Sequence, residues 1–134
     1  APATRWLLDN RRYLGVSFGV SHFVHLLAIL QLTGWSVRGF FAAAGLVTGV
    51  LGGLGYGVLA AMVATSFDCS AAWLGPGRWR RLHGFGVWYL WGIFLVTFAP
   101  RAGASPGVYL PVTVGLLTAA ALRLAARRGG RSAA

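Results

Sequence analysis

Three histidines are the only residues in this sequence that could do chemistry inside an otherwise uncharged stretch of chain. His22 and His25 stand three residues apart, and His83 stands alone further on. An imidazole nitrogen is a good ligand for iron or zinc. The neighbourhoods narrow the choice. A catalytic zinc site needs three protein ligands and an open position, and no acid or thiol falls beside these histidines in the sequence. The remaining readings are axial ligation of a b-type haem, which takes histidines from facing membrane helices, or hydrogen bonding between helices. On a helix, His22 and His25 fall on one face, so they cannot occupy opposite axial positions of one iron. Three histidines cannot complete two bis-His haems, so one haem or none is the expectation before two.

The elements that must position them are membrane helices. Of 134 residues, only 10% are charged and 57% are hydrophobic, with a mean hydropathy of +0.67. A soluble domain carries about 25% charged residues. Residues 13–37, 39–67, 82–100 and 102–122 contain no charged side chain. Each run reaches or approaches the roughly 20 residues that cross about 30 Å of hydrocarbon. Spans are therefore expected near 13–33, 39–66, 82–99 and 107–123. The fold class is all-α, an integral membrane four-helix bundle in one domain. The histidines fall in the first and third spans, which run parallel.

Charge sets the orientation. There is no Lys or Glu, and the acids are Asp9 and Asp68. Arg5, Arg11, Arg12, Arg78, Arg80, Arg81, Arg123, Arg127, Arg128 and Arg131 share one side of a four-span topology, while Arg38 and Arg101 fall on the other. The positive-inside rule places the first group, and both ends of the chain, in the cytoplasm. Trp6, Trp73 and Trp79 on that side and Trp35 opposite make an aromatic belt. A net charge of +10 could point to nucleic acid. Arginines at the ends of apolar runs point to a multi-pass protein of a bacterial-type inner membrane instead, with no nucleic-acid partner.

Residues 1–12 read as an interfacial lead-in, and they lack the pattern of a signal peptide, whose apolar run comes early and ends in a small-residue cleavage site. Without an initiator Met, the chain reads as trimmed or as part of a longer protein. Residues 67–81 read as a cytoplasmic loop with a turn at Gly75-Pro76-Gly77. Pro111 is expected in the first turn of span four, and residues 124–134 as a disordered tail. Cys69 excludes an internal disulfide and reads as a loop thiol. No Gly-rich nucleotide motif follows a strand, so no flavin or nicotinamide site is expected, and no catalytic residue is assigned. Gly45, Gly49, Gly53 and Gly57 form overlapping GxxxG units in span two. Their stripe suits close helix packing or clearance for a flat cofactor.

Arg11-Arg12-Tyr13-Leu14-Gly15, followed ten residues later by His25, resembles the RRxLG…H opening of the ferric reductase-like transmembrane family. Trp79-Arg80-Arg81-Leu82-His83, followed by Tyr89, resembles that family's WxxLH…Y signature. The resemblance covers roughly residues 5–100, and bacterial members include the haem-binding membrane subunit of the periplasmic methionine sulfoxide reductase system. It implies electron transfer across the membrane through haem b, with His25 and His83 at haem-ligand positions and His22 as an additional histidine. The aromatics Trp88, Tyr89, Trp91 and Phe94 would pack near the cofactor. A quinol or a partner reductase would supply electrons to a far-side acceptor. Family members commonly carry a further His 13 or 14 residues after the position of His83, where this chain has Val96 and Thr97. They also have more spans, with a helix before RRxLG. Depth along the helices adds a constraint. His83 is two residues past Arg81, about 3 Å, whereas His22 and His25 are ten and thirteen past Arg12, about 15 and 20 Å. The alternative function is a non-redox accessory subunit of a larger membrane complex, using the glycine stripe and arginine rims to hold other membrane subunits or anionic lipid.

Overall fold

The computed structural model describes residues 2–132, with side chains described from 5 to 126. The described chain is all-α: α1 (Pro2–Asp9), α2 (Arg11–Leu32), α3 (Val37–Ala44), α4 (Leu46–Ala64), α5 (Asp68–Leu74), α6 (Pro76–Ala104) and α7 (Pro106–Ser132). Four of these, α2, α4, α6 and α7, are long and apolar enough to cross a bilayer. Helices meet the demand of hydrocarbon that every backbone polar group be bonded within the segment. The surface agrees with that solvent. Large apolar side chains point outward throughout, including Val24, Leu54, Val96 and Leu117, and among the described residues Leu59 and Ala120 are the buried hydrophobic ones. The protein is a multi-pass membrane protein with lipid as its surroundings.

The chain packs as two compact units, residues 1–89 and 90–134. In the first unit α4 is the central element. It packs against α2 and α3 and receives the first half of α6 through Gly86, above which lie Val58 and Met62. In the second unit, Trp91 Nε1 donates to the Leu116 carbonyl at 2.9 Å. Phe98 stacks between Phe94 and Tyr109, with ring centroids 5.8 and 5.9 Å away. Thr113 Oγ1 donates to the Tyr109 carbonyl at 2.8 Å.

Several boundaries differ from the sequence expectation, each for a local reason. The expected span 39–66 is broken at Gly45, whose φ of 75° and ψ of 156° end α3 and open α4. That backbone region is accessible essentially to glycine alone. The expected loop 67–81 is mostly helical. Phe67 in extended conformation opens α5. Gly75, at φ 78° and ψ 155°, closes it. Pro76 then begins α6, where its missing N–H has no intrahelical partner to lose.

At the far end α6 runs on through Pro100 to Ala104, and the connection between the spans expected at 82–99 and 107–123 shrinks to Ser105. Pro106 takes the first helical position of α7, so Pro111 lies inside that helix rather than in its first turn. The lead-in forms α1, joined to α2 by Asn10, whose Nδ2 donates to the Trp6 carbonyl at 2.9 Å. The tail expected to be disordered is helical as far as Ser132. Its side chains from 127 onward, and Ala133 and Ala134 altogether, lie outside the described residues.

Candidate functional site

The first unit gathers its polar side chains at the end where α2 and α6 begin and α4 ends. Arg12 on α2 reaches across to the α4–α5 connection. Its Nε donates to the Ser66 carbonyl at 2.6 Å, and its guanidinium makes a bidentate pair with Asp68. On α6, Trp79 Nε1 donates to the Thr65 carbonyl at 2.8 Å. Tyr89, three turns on, donates its hydroxyl to the Leu51 carbonyl at 3.1 Å. Arg12, Trp79, His83 and Tyr89, the motif residues named above, all bond to α4 or to the residues just after it.

His83 stands between two of these contacts. Its ring stacks on Trp79 with centroids 4.0 Å apart and planes 21° apart. Its Nε2 lies 3.1 Å from Thr65 Oγ1, and that hydroxyl also lies 2.7 Å from the Ala61 carbonyl. A hydroxyl has one proton to give. With that proton on Ala61, Thr65 accepts from the Nε2–H of His83, which leaves Nδ1 as the basic nitrogen. The half-buried imidazole is thereby held to the end of α4.

His22 is set the other way round. Its Nδ1 lies 2.9 Å from the Phe18 carbonyl one turn back and 3.4 Å from Ser21 Oγ, and the Phe18 ring packs 4.1 Å from the imidazole. Donation from Nδ1–H to Phe18 makes Nε2 the basic nitrogen. A carbonyl on the other ring nitrogen is the usual support of a metal-binding histidine. His25 is exposed on α2, between the equally outward-facing Val24 and Leu27.

Helix α4 serves as a ruler for the depths of all three. Gly19 of α2 meets Leu59 and Val63, and Gly86 of α6 meets Val58 and Met62, so these two glycines are nearly level. His83 is level with Thr65, whereas Phe23, next to His22, pairs its ring with Tyr56 at 6.3 Å. At 1.5 Å per residue, His22 lies about 10 Å and His25 about 15 Å deeper than His83. Two axial imidazoles must meet one iron from opposite faces of one ring. Histidines offset this far on parallel helices do not fit that arrangement. The residues do not fit a haem bridged between α2 and α6. Among the described residues no cluster of three or more His, Cys, Asp or Glu is placed to hold a metal ion.

The glycine stripe is divided in use. Gly45 is the break between helices, Gly49 faces the ring of Phe41, and Gly53 and Gly57 have open space beside them. Gly49 is thus one close helix approach within the unit, and the others fall on the isolated Gly19, where a Cβ would run into Val63, and Gly86, where it would run into Met62. Sequence reasoning passed over these isolated glycines, and it also passed over Thr65 and Ser66. A signal for the latter pair was present, since four-span topology puts hydroxyls ending span two beside whatever begins spans one and three. Of the aromatics expected near a cofactor, Tyr89 and Trp91 are tied to carbonyls of Leu51 and Leu116. Cys69 is exposed.

No protein-family model, curated protein or solved structure matches the chain.

Proposed function

We propose that this protein is a haem b-binding electron-transfer subunit of the ferric reductase-like type, set in a bacterial-type cytoplasmic membrane with its arginine-rich end inside. The observation that carries the reading is the state of His22 and its neighbour. His22 has its Nδ1 bonded to a carbonyl of its own helix, and His25 follows a turn later, both in an apolar span. Ionisable groups at such depth are costly and default to function. The motif residues support the same reading, because Arg12, Trp79, His83 and Tyr89 act together as the contacts that hold α2 and α6 on α4. Bound haem iron would supply one-electron redox chemistry. The chain's own contribution is an imidazole from His25 or His22 and an apolar surround that excludes water. His83 sits nearer the cytoplasmic surface, where electrons from a quinol or a partner reductase would arrive. If haem binds at the level of His25, the depth offset of His83 leaves any second protein ligand to a residue outside these three histidines, which a partner subunit of a larger membrane assembly would supply.

The test is a reduced-minus-oxidised spectrum of the purified protein, with His22→Ala, His25→Ala and His83→Ala beside it. A b-type band that falls sharply in an α2 variant is expected. Protein that folds, stays helical and carries no haem after expression with ample haem supply would overturn the reading.

A second reading, a non-redox accessory subunit, is favoured by one specific contact. His83 donates to Thr65 and stacks on Trp79, which is a complete structural role for a membrane histidine. Stable haem-free protein that co-purifies with other membrane subunits is its expected signature.

A further inference from the structure

The first unit carries a charged surface that neither redox chemistry nor helix packing uses. Arg5, Arg11, Arg78, Arg80 and Arg81 are all exposed. Among the described residues the one ion pair is Arg12 with Asp68, and the other carboxylate at this end is the exposed Asp9, so the arginines outnumber the acids there. The contacts of Arg12 with Ser66 and of Trp79 with Thr65 put the starts of α2 and α6 at one end of the unit. The arginines therefore share that end. Their surroundings are amphiphilic. Trp6, Leu7, Leu8, Phe67 and Trp73 are exposed there too, Trp73 at 85%. A ligand matching this surface has a negative headgroup and an apolar body.

We propose that this arginine rim binds anionic phospholipid, with headgroup phosphates on Arg11, Arg78, Arg80 and Arg81 and acyl chains along the exposed aromatic and leucine side chains. Clusters of basic residues beside a membrane span favour anionic lipid in this way. Free phosphate would use only the charges and leave the apolar ring unexplained. An acidic polypeptide has no acyl chains to lay against it. The inference does not depend on the haem reading.

The test uses the full chain in detergent, offered equal phosphatidylglycerol and phosphatidylcholine, with retained lipid counted by native mass spectrometry. Wild-type protein is expected to keep phosphatidylglycerol over phosphatidylcholine by about fivefold. The preference is expected to fall towards unity in R78Q/R80Q/R81Q, to persist in R78K/R80K/R81K, and to be unchanged in R38Q at the opposite end of the first unit. If the glutamine triple variant fails to fold, R80Q and R11Q singly carry the comparison, each with a partial loss expected. Equal retention of the two lipids by wild-type protein overturns the proposal. So does an equal loss in R38Q, which would mean diffuse charge. Displacement of the bound phosphatidylglycerol by inorganic phosphate or by polyglutamate at matched charge would assign the rim to a free anion or to an acidic polypeptide, and the lipid proposal would fall.

Discussion

His83 and Thr65 meet at 3.1 Å, imidazole to hydroxyl, where α6 begins and α4 ends. The hydroxyl donates its hydrogen bond to the Ala61 carbonyl at 2.7 Å, so one threonine fixes the ring orientation of a membrane histidine and favours the tautomer with its proton on Nε2. The indole of Trp79 covers the ring's other side and is itself bonded to the Thr65 carbonyl. Three side chains thus close a small network around the junction of two helices.

Thr65→Val keeps the shape of the side chain and removes the acceptor. Hydrogen bonds between membrane helices average about 0.6 kcal/mol, so a loss of about 0.5–1 kcal/mol in unfolding free energy is expected in detergent denaturation. Thr65→Ser retains the hydroxyl and should lose clearly less. Equal losses in the two variants would mean that packing of the methyl group, rather than the bond to His83, holds the junction.

Glycines in this chain divide by what stands opposite them. At Gly19 a new Cβ meets the branched, stiff Val63 side chain, and at Gly86 it meets the flexible thioether of Met62. Gly19→Ala should therefore destabilise by about 1–3 kcal/mol and Gly86→Ala by less. Gly53→Ala and Gly57→Ala, with open space beside them, should be neutral or stabilising by up to about 1 kcal/mol in the isolated chain. Thermal unfolding of the four variants in one detergent gives the ranking. A large loss at Gly53 or Gly57 instead would show that the stripe is covered by another helix.

Gly45 and Gly75 test backbone rather than space. Neither has an atom within 4 Å of a built Cβ, yet both hold φ near 75° and 78° with ψ near 155°. Alanine there is expected to cost about 1–3 kcal/mol through strain alone. Denaturation midpoints of G45A and G75A, set against G53A, separate the two effects. G45A behaving like G53A would mean that α3 and α4 join as one continuous helix.

The spans were legible because their signal is one-dimensional. Charge-free length and arginine placement state where hydrocarbon begins and ends, and four long apolar helices follow from them. The breaks were less legible. Gly45 reads as part of a regular GxxxG series, and only its dihedral angles distinguish a hinge from a packing stripe. Helix ends were missed where a glycine–proline pair reads as a turn but Pro76 in fact starts the next helix.

The chemistry-bearing residues divide in the same way. The sequence by itself determined that His22, His25 and His83 lie in two parallel membrane helices, since topology follows from charge and length, and it put His83 nearer the arginine end by counting residues. Tertiary structure decided what each histidine touches. Thr65, Trp79 and the Phe18 carbonyl set tautomers that no spacing reveals, and the contacts of Gly19 and Gly86 with α4 fix the sliding register of α2 against α6. Register is a property of packing between helices. In lipid that packing is decided by small residues and close fit rather than by burial of apolar surface, so a uniformly apolar sequence leaves little trace of it.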